Sequence, residues 1–301
     1  MYSTIADNTE KFVYTDSMFW CGPDLVKSMV EFAEQTKNEL YQTETCIYGD
    51  FLACMGTCKS EEKLFWKKTS TAAPMKTKMA NHFQSTPLSI LVLEKSKFYH
   101  IGTMSEYLEH LCQSSELFQI LGMKPVVHCR SSGNLICRGV ITNSVVDSAV
   151  EIGQNSVIDN CIFVTPLVVE PNTILSNCVI NDPDIKTIPS GWLFHSSAIK
   201  KNEENLYVTI AFRLDEDLKT CVEHSWKHLA EANSSLWTGH LFEARTTMSD
   251  SFSTTWRSVT RGAQVGRNND GIVRYSMVDI VKLKRVEGFL QHRNNISRLI
   301  S

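Results

Sequence analysis

From Val140 onward the chain reads in sixes: Val140-Ile-Thr-Asn-Ser144-Val, Val146-Asp-Ser-Ala-Val150-Glu, Ile152-Gly-Gln-Asn-Ser156-Val, Ile158-Asp-Asn-Cys-Ile162-Phe and Val164-Thr-Pro-Leu-Val168-Val. Each of these five hexads opens on Val or Ile, and the residue four later is small or β-branched. Gly or Asp often fills the second position, where the chain must turn. A hexad of this kind supplies one face of a parallel β-coil, and three hexads close a triangular coil. Leu135 to Ile180 is therefore expected to hold about two and a half coils of a left-handed parallel β-helix. An ordinary alternating sheet also satisfies a period of six, but it does not ask for Gly or Asp at recurring corners. A short solenoid needs both ends covered, so folded chain is expected on either side of it.

The surrounding sequence supplies that chain. The 301 residues allow two or three compact units. Pro23 and Asp24 suit a helix start, with Leu25, Val26, Met29, Val30 and Ala33 forming an apolar face. Phe12 to Trp20 and the apolar run Leu88 to Leu93 read as strands. Thr57 to Ser85 reads as a surface excursion with some helix at Glu61 to Lys68. Tyr207 to Phe212 reads as a strand, the last rung or a return. Leu218 to Ala232 and Met277 to Leu290 read as helices, with a loop at Thr260 to Gly271. The expected organisation is an α/β region over residues 1–125, the β-helix over 126–212 and a mixed helical segment over 213–301.

The formal charge of −3, from 30 basic and 33 acidic residues, offers no footprint for nucleic acid or an anionic membrane. Ten cysteines with no C-x-x-C pair argue against a zinc ribbon or a disulfide framework, and reduced thiols fit a cytoplasmic protein. Met1 to Glu10 is polar, and no apolar run reaches the ~18 residues of a membrane span.

Ser96-Lys97-Phe98-Tyr99-His100-Ile101-Gly102-Thr103-Met104-Ser105-Glu106-Tyr107-Leu108 reads as a strand, a turn at Gly102 and a helix with Thr103 and Glu106 in capping-box spacing. An α/β unit, this turn and then hexads resemble the C-terminal part of sugar-1-phosphate nucleotidyltransferases. His100 replaces the aspartate usual before Ile-Gly in the mannose-1-phosphate branch. With Tyr14-Thr15-Asp16-Ser17, Tyr48-Gly49-Asp50-Phe51-Leu52 and Leu236-Trp237-Thr238, the chain is similar to the fucose-1-phosphate guanylyltransferase family from about Phe12 to Gln291.

The resemblance implies a partial Rossmann-like nucleotidyltransferase domain ahead of the β-helix. It also implies the reaction of GTP with fucose 1-phosphate to give GDP-fucose and pyrophosphate, with magnesium. Charge then builds on phosphate oxygens and must be met by cations or amides. The family's phosphate cradle is a glycine-rich loop, whereas the fourteen glycines here are scattered with no G-x-G. The chain is accordingly expected to be a fragment or natural short form beginning midway through the domain, inactive alone, with Asp16, Asp50, Lys97 and His100 lining the substrate pocket. His100 is expected to touch phosphate or sugar rather than metal. Possible partners are a second copy or a full-length nucleotidyltransferase, and the alternative reading is a non-catalytic regulatory subunit. His224 and His228, at metal-pair spacing without a third ligand, are expected to be surface histidines, and Cys54 and Cys58 buried thiols. A hexapeptide acyltransferase is disfavoured because no histidine lies between Cys129 and Phe194.

Overall fold

The computed structural model describes residues 19–40, 45–55, 73–89, 97–112, 115–218, 223–229, 234–261 and 272–301. The chain divides into two compact units, Met1–Phe98 and Tyr99–Ser301.

In the first unit, α1 (Pro23–Leu40) starts at Pro23 with Asp24 in its first turn, where a carboxylate meets the positive end of the helix dipole. Its buried face carries Phe32 and Thr36, with Leu25 and Met29 beside them, while Val26 and Val30 are exposed. The apolar stripe is thus narrower than its sequence suggests. α2 (Ala73–Phe83) lies within the stretch expected to be a surface excursion. Met75, Met79 and Phe83 recur every fourth residue and are buried, so this helix builds core despite its lysines. The Phe83 ring meets Phe32 and Phe51 edge-on, with centroids 5.3 and 4.7 Å apart. Among the described residues this unit has no strand; the strand expected at Phe12 to Trp20 and the helix at Glu61 to Lys68 fall largely or wholly outside them.

The second unit opens with α3 (Met104–Leu111) and α4 (Glu116–Ile120), then winds as a solenoid. Five strands stack on one face: β1 (Val126–Ser131), β3 (Val140–Val146), β5 (Val157–Asp159), β8 (Ile174–Ser176) and β11 (Trp192–Lys201), all parallel. A second ladder holds β2 (Leu135–Cys137), β4 (Val150–Ile152), β7 (Leu167–Val169) and β10 (Thr187–Ile188). The third joins the end of β3 to β6 (Ile162–Phe163) and β9 (Val179–Ile180). The solenoid is therefore longer than expected, taking four steps from β1 to β11.

Its period also differs. Val140 pairs with Val157 and Val157 with Ile174, seventeen residues per coil rather than eighteen. The frame of sixes therefore slips: Val140, Val146, Ile152 and Ile158 are buried, whereas Val164 and Val168 are 47% and 43% exposed. Phe163, Leu167 and Val169 fill the core in their place.

Asparagine sets the corners. Asn143, Asn160 and Asn177 at one corner and Asn155 and Asn172 at another all have φ between 44° and 55°. This is the left-handed region, which asparagine tolerates better than most residues. Each is followed by a small polar or thiol side chain. Ser144 Oγ accepts from Cys161 N at 3.0 Å, Cys161 Sγ from Cys178 N at 3.4 Å, and Ser156 Oγ from Thr173 N at 3.1 Å. An inward polar atom thus satisfies the amide one coil on, inside an otherwise apolar column. Asn155 is exposed. Asn155→Ala is expected to lower unfolding free energy by about 1 kcal/mol in urea titrations, and Asn155→Gly to leave it nearly unchanged.

After the last rung β12 (Glu204–Arg213) returns antiparallel to β11, followed by β13 (Phe242–Arg245) and β14 (Arg274–Tyr275). α5 (Met248–Arg261) packs on β12 and β13, α6 (Met277–Leu283) on β11 and β14, and α7 (Val286–Ile300) on β1, β3 and β11. The helix expected over Met277 to Leu290 is broken because Arg285 N donates to Ala198 O at 2.9 Å and Lys284 bridges to Ile199. The helix expected from Leu218 to Ala232 is a run of turns over residues 225–229, where Trp226 Nε1 donates to Ala211 O at 2.7 Å. Among the described residues no helix is long and apolar enough to cross a membrane.

Candidate functional site

The turn at Gly102 has the capping box read from its spacing: Thr103 Oγ1 accepts from Glu106 N at 3.1 Å, and Glu106 Oε2 accepts from Thr103 N at 2.9 Å. Glu106 also accepts from Gly102 N at 2.9 Å and lies 3.1 Å from His100 Nδ1. The bond to His100, then the turn amides, hold its carboxyl down at about 2. A Cβ on Gly102 would stand 2.1 Å from His100 Cε1, so the glycine makes room for the imidazole. The His100 side chain remains 63% exposed.

Two of the other three sequence candidates belong to the first unit. Asp16 is outside the described residues. Lys97 is exposed in the first unit. Asp50 is buried in a helical turn over Ile47–Phe51. Its Oδ2 accepts from Cys46 N at 2.8 Å and its Oδ1 pairs with Lys76 Nζ at 3.0 Å, which ties this turn to α2. Cys54 is a buried thiol, as expected, and its Sγ donates to Asp50 O at 2.9 Å.

A cavity of about 400 Å³ opens in the second unit on the outer face of the solenoid's main sheet. Two rows across the strands form its floor: Ile174, Leu193 and Phe212, and beside them Ser176, His195 and Ile210. Alternation along β11 puts Leu193, His195 and Ser197 on this face and Phe194, Ser196 and Ala198 in the core. Met104 and Tyr107 from α3 line it from above, one helical turn apart. Met277, Ile280, Val281 and Lys284 do the same from α6 and its end. Trp237 completes the wall, its backbone held by a bond from its N to Leu218 O at 2.8 Å and one from Val278 N to its own O at 3.3 Å.

The cavity is apolar except for a few groups. Burial, then the charges of Lys284 and Arg293, push His195 down to about 4, so the imidazole is neutral at pH 7. Its ring stacks on Phe289, with centroids 5.9 Å apart. Burial raises the Tyr107 hydroxyl, with Asp159 adding to the effect. The Lys284 ammonium lies over the Phe289 ring, 4.7 Å from its centroid, with no carboxylate partner among the described residues. His195 and Lys284 escaped the sequence reading. The signal was present as polar residues at alternate positions of an apolar strand, and as Met277, Ile280, Val281 and Lys284 at helical spacing.

Among the described residues no three His, Cys, Asp or Glu side chains gather to hold a metal ion. His224 is buried rather than superficial, and its Nε2 donates to Ser234 O at 3.1 Å.

The cavity unites two stretches distant in sequence, Met104-Ser105-Glu106-Tyr107 and Leu236-Trp237-Thr238, both among those that carry the family resemblance. Comparison with known proteins agrees. Fucose-1-phosphate guanylyltransferase of Mus musculus is 29% identical over 238 residues, which is 71% of this chain and 37% of the relative. That of Homo sapiens is 26% identical over 343 residues, 96% of this chain and 53% of the relative. The chain thus spans about half or less of the length of these relatives. No solved structure matches it. The model of the fucose pyrophosphorylase domain matches residues 3–259, across both units, and the chain belongs to that family.

Proposed function

We propose that this chain serves the synthesis of GDP-fucose from GTP and fucose 1-phosphate, and that it supplies the sugar side of the site. The observation that carries this reading is the cavity at which Tyr107 and Trp237 meet, within a chain whose family match crosses both units. On this reading the first unit is the tail of a Rossmann-like nucleotidyltransferase domain, and the coil is left-handed.

The transfer needs amides or cations around the phosphates of GTP. No two glycines of this chain are closer than four residues, so no Gly-x-Gly turn lets backbone amides approach a phosphate. We assign that cradle to a complete nucleotidyltransferase paired with the chain. Lys97 in the first unit and His100 in the second are each candidates for a phosphate contact, and Asp50 positions its turn through Lys76. Magnesium would be brought by the nucleotide, and no step is assigned to it here. A cytoplasmic setting, where thiols stay reduced, suits a chain of ten cysteines with no C-x-x-C pair.

Deleting the gene for this chain from cells fed labelled fucose is expected to lower labelled GDP-fucose at least about tenfold and to accumulate fucose 1-phosphate. Unchanged GDP-fucose would overturn the reading.

A further inference from the structure

We infer that His224 and His228 form a two-nitrogen site for a divalent transition metal ion of the zinc and nickel class, which ties their turn to the segment at Ser234. The inference does not depend on the proposed function. Three observations carry it.

The first is a pair of bare, buried nitrogens. His224 is 7% exposed, and its Nε2 donates to Ser234 O at 3.1 Å. A carbonyl only accepts, so Nε2 carries the ring proton and Nδ1 of the neutral imidazole keeps its lone pair. Nδ1 is buried and has no hydrogen-bond partner. His228 repeats the arrangement with the nitrogens exchanged: its ring bonds the Ser225 backbone, and Nε2 is the buried atom without a partner. Buried polar atoms are normally paired, so two such lone pairs call for a group that accepts them. An imidazole whose other nitrogen donates to a backbone carbonyl is also the form in which histidine ligates metal, with tautomer and ring direction already set.

The second is placement. Lys227 N donates to His224 O at 3.0 Å and Leu229 N to Trp226 O at 2.9 Å, so the chain turns tightly and brings residue 228 back beside residue 224. The rings are near enough for the charge of His224 to act on His228. The turn is pinned by its own residues: Ser225 Oγ donates to Glu216 Oε2 at 3.0 Å, and Trp226 Nε1 to Ala211 O at 2.7 Å. The His228 ring lies nearly parallel to that indole, 12° between planes with centroids 6.4 Å apart. The third is the chemistry of the donors. Neutral imidazole nitrogens suit zinc, nickel or copper, whereas magnesium and calcium require oxygen. No third His, Cys, Asp or Glu joins them among the described residues, so solvent completes the coordination. Ser234 stands three residues before Trp237, so an ion on His224 steadies the approach to the cavity wall.

Nickel titration of the full 301-residue chain, kept reduced, tests this by calorimetry and by NMR of the histidine rings. Nickel is the probe because it favours imidazole nitrogen and, being paramagnetic, broadens the signals nearest to it. One equivalent is expected to broaden the ring signals of His224 and His228 first. Those of His100 and His240, whose side chains are 63% and 54% exposed, are expected to stay sharp. Magnesium is expected to leave the two rings unchanged. His224→Gln and His228→Asn each put an amide N–H in place of the ring donor and delete the bare nitrogen, so the bonds to Ser234 and Ser225 can survive. Each is expected to bind nickel at least about tenfold more weakly, since losing even a partner outside the ligand set costs roughly 10- to 100-fold. Circular dichroism shows whether each variant is folded, and nickel is expected to raise the melting temperature of the parent but not of the variants. Broadening of His100 or His240 ahead of His224 and His228, or affinity unchanged in both folded variants, would overturn the site. So would sharp His224 and His228 signals at millimolar nickel, which would leave the two nitrogens to a buried water.

Discussion

Gly139→Ala is expected to destabilise the second unit by about 3 kcal/mol or more, lowering its melting temperature by roughly 6–12 °C. A Cβ at residue 139 would stand 2.3 Å from the carbonyl oxygen of Ser156 and 2.9 Å from that of Gly153. Both obstacles are backbone, so neither can move aside by changing a rotamer. The same Ser156 oxygen accepts from Val140 N at 2.8 Å, one of the bonds joining successive coils. A methyl group at Gly139 must therefore pry that bond open or move the whole coil. Melting followed by circular dichroism checks this; a melting temperature within about 2 °C of the parent would refute the close approach of the coils.

The second large effect is acid sensitivity governed by His195. Its ordinary value near 6.5 falls to about 4 in the folded chain through burial, then Lys284 and Arg293. As pH falls, the unfolded chain therefore takes up a proton before the folded one does. Stability from this group is complete above about pH 6.5, declines between 6.5 and 4, and the loss totals about 3 kcal/mol. His228 and His292 are also lowered, chiefly by burial, and act in the same direction. The lowered carboxyls Glu106, Asp147, Asp182 and Asp279 begin to lose their contribution as the unfolded chain takes up protons in the usual carboxylate range and lose the rest below it, so most of the change from pH 7 to 4.5 belongs to the histidines. Unfolding free energies from urea titrations at pH 7 and 4.5 are expected to differ by about 2 kcal/mol less in His195→Gln than in the parent. Parallel behaviour of the two proteins would show that His195 is not held neutral.

These effects fall where the sequence was partly legible. The capping box at Thr103 and Glu106 could be read directly, because it depends on residues three apart. The solenoid was visible as Val or Ile recurring every sixth residue, but the period was misread. Six divides eighteen, and the first hexads fit that frame. The pairs Asn143-Ser144, Asn155-Ser156, Asn160-Cys161, Asn172-Thr173 and Asn177-Cys178 carry the true spacing, alternately twelve and five residues. They could be recognised as corners only once their positive φ values were known.

The cavity was least legible because its groups come from α3, β8, β11, β12, Trp237 and α6, brought together by the coil and by the return of the chain across it. Tyr107 and Trp237 stood in quoted motifs without a stated role. Lys284 stood within a stretch that reads as unbroken helix, and only the pairing of Lys284 and Arg285 with β11 turns it toward the cavity. α2 was overlooked because Lys76 and Lys78 mask the four-residue spacing of Met75, Met79 and Phe83.

On the proposed function, fucose 1-phosphate enters the second unit between α3, α6 and the solenoid. Methyl-labelled methionine NMR of the full chain tests it most directly, because Met104 and Met277 line the cavity whereas Met75 and Met79 are buried in the core of the first unit. Titration with L-fucose 1-phosphate is expected to shift the Met104 and Met277 methyl signals and to leave Met75 and Met79 in place; shifts confined to the first unit, or none at millimolar ligand, would contradict it.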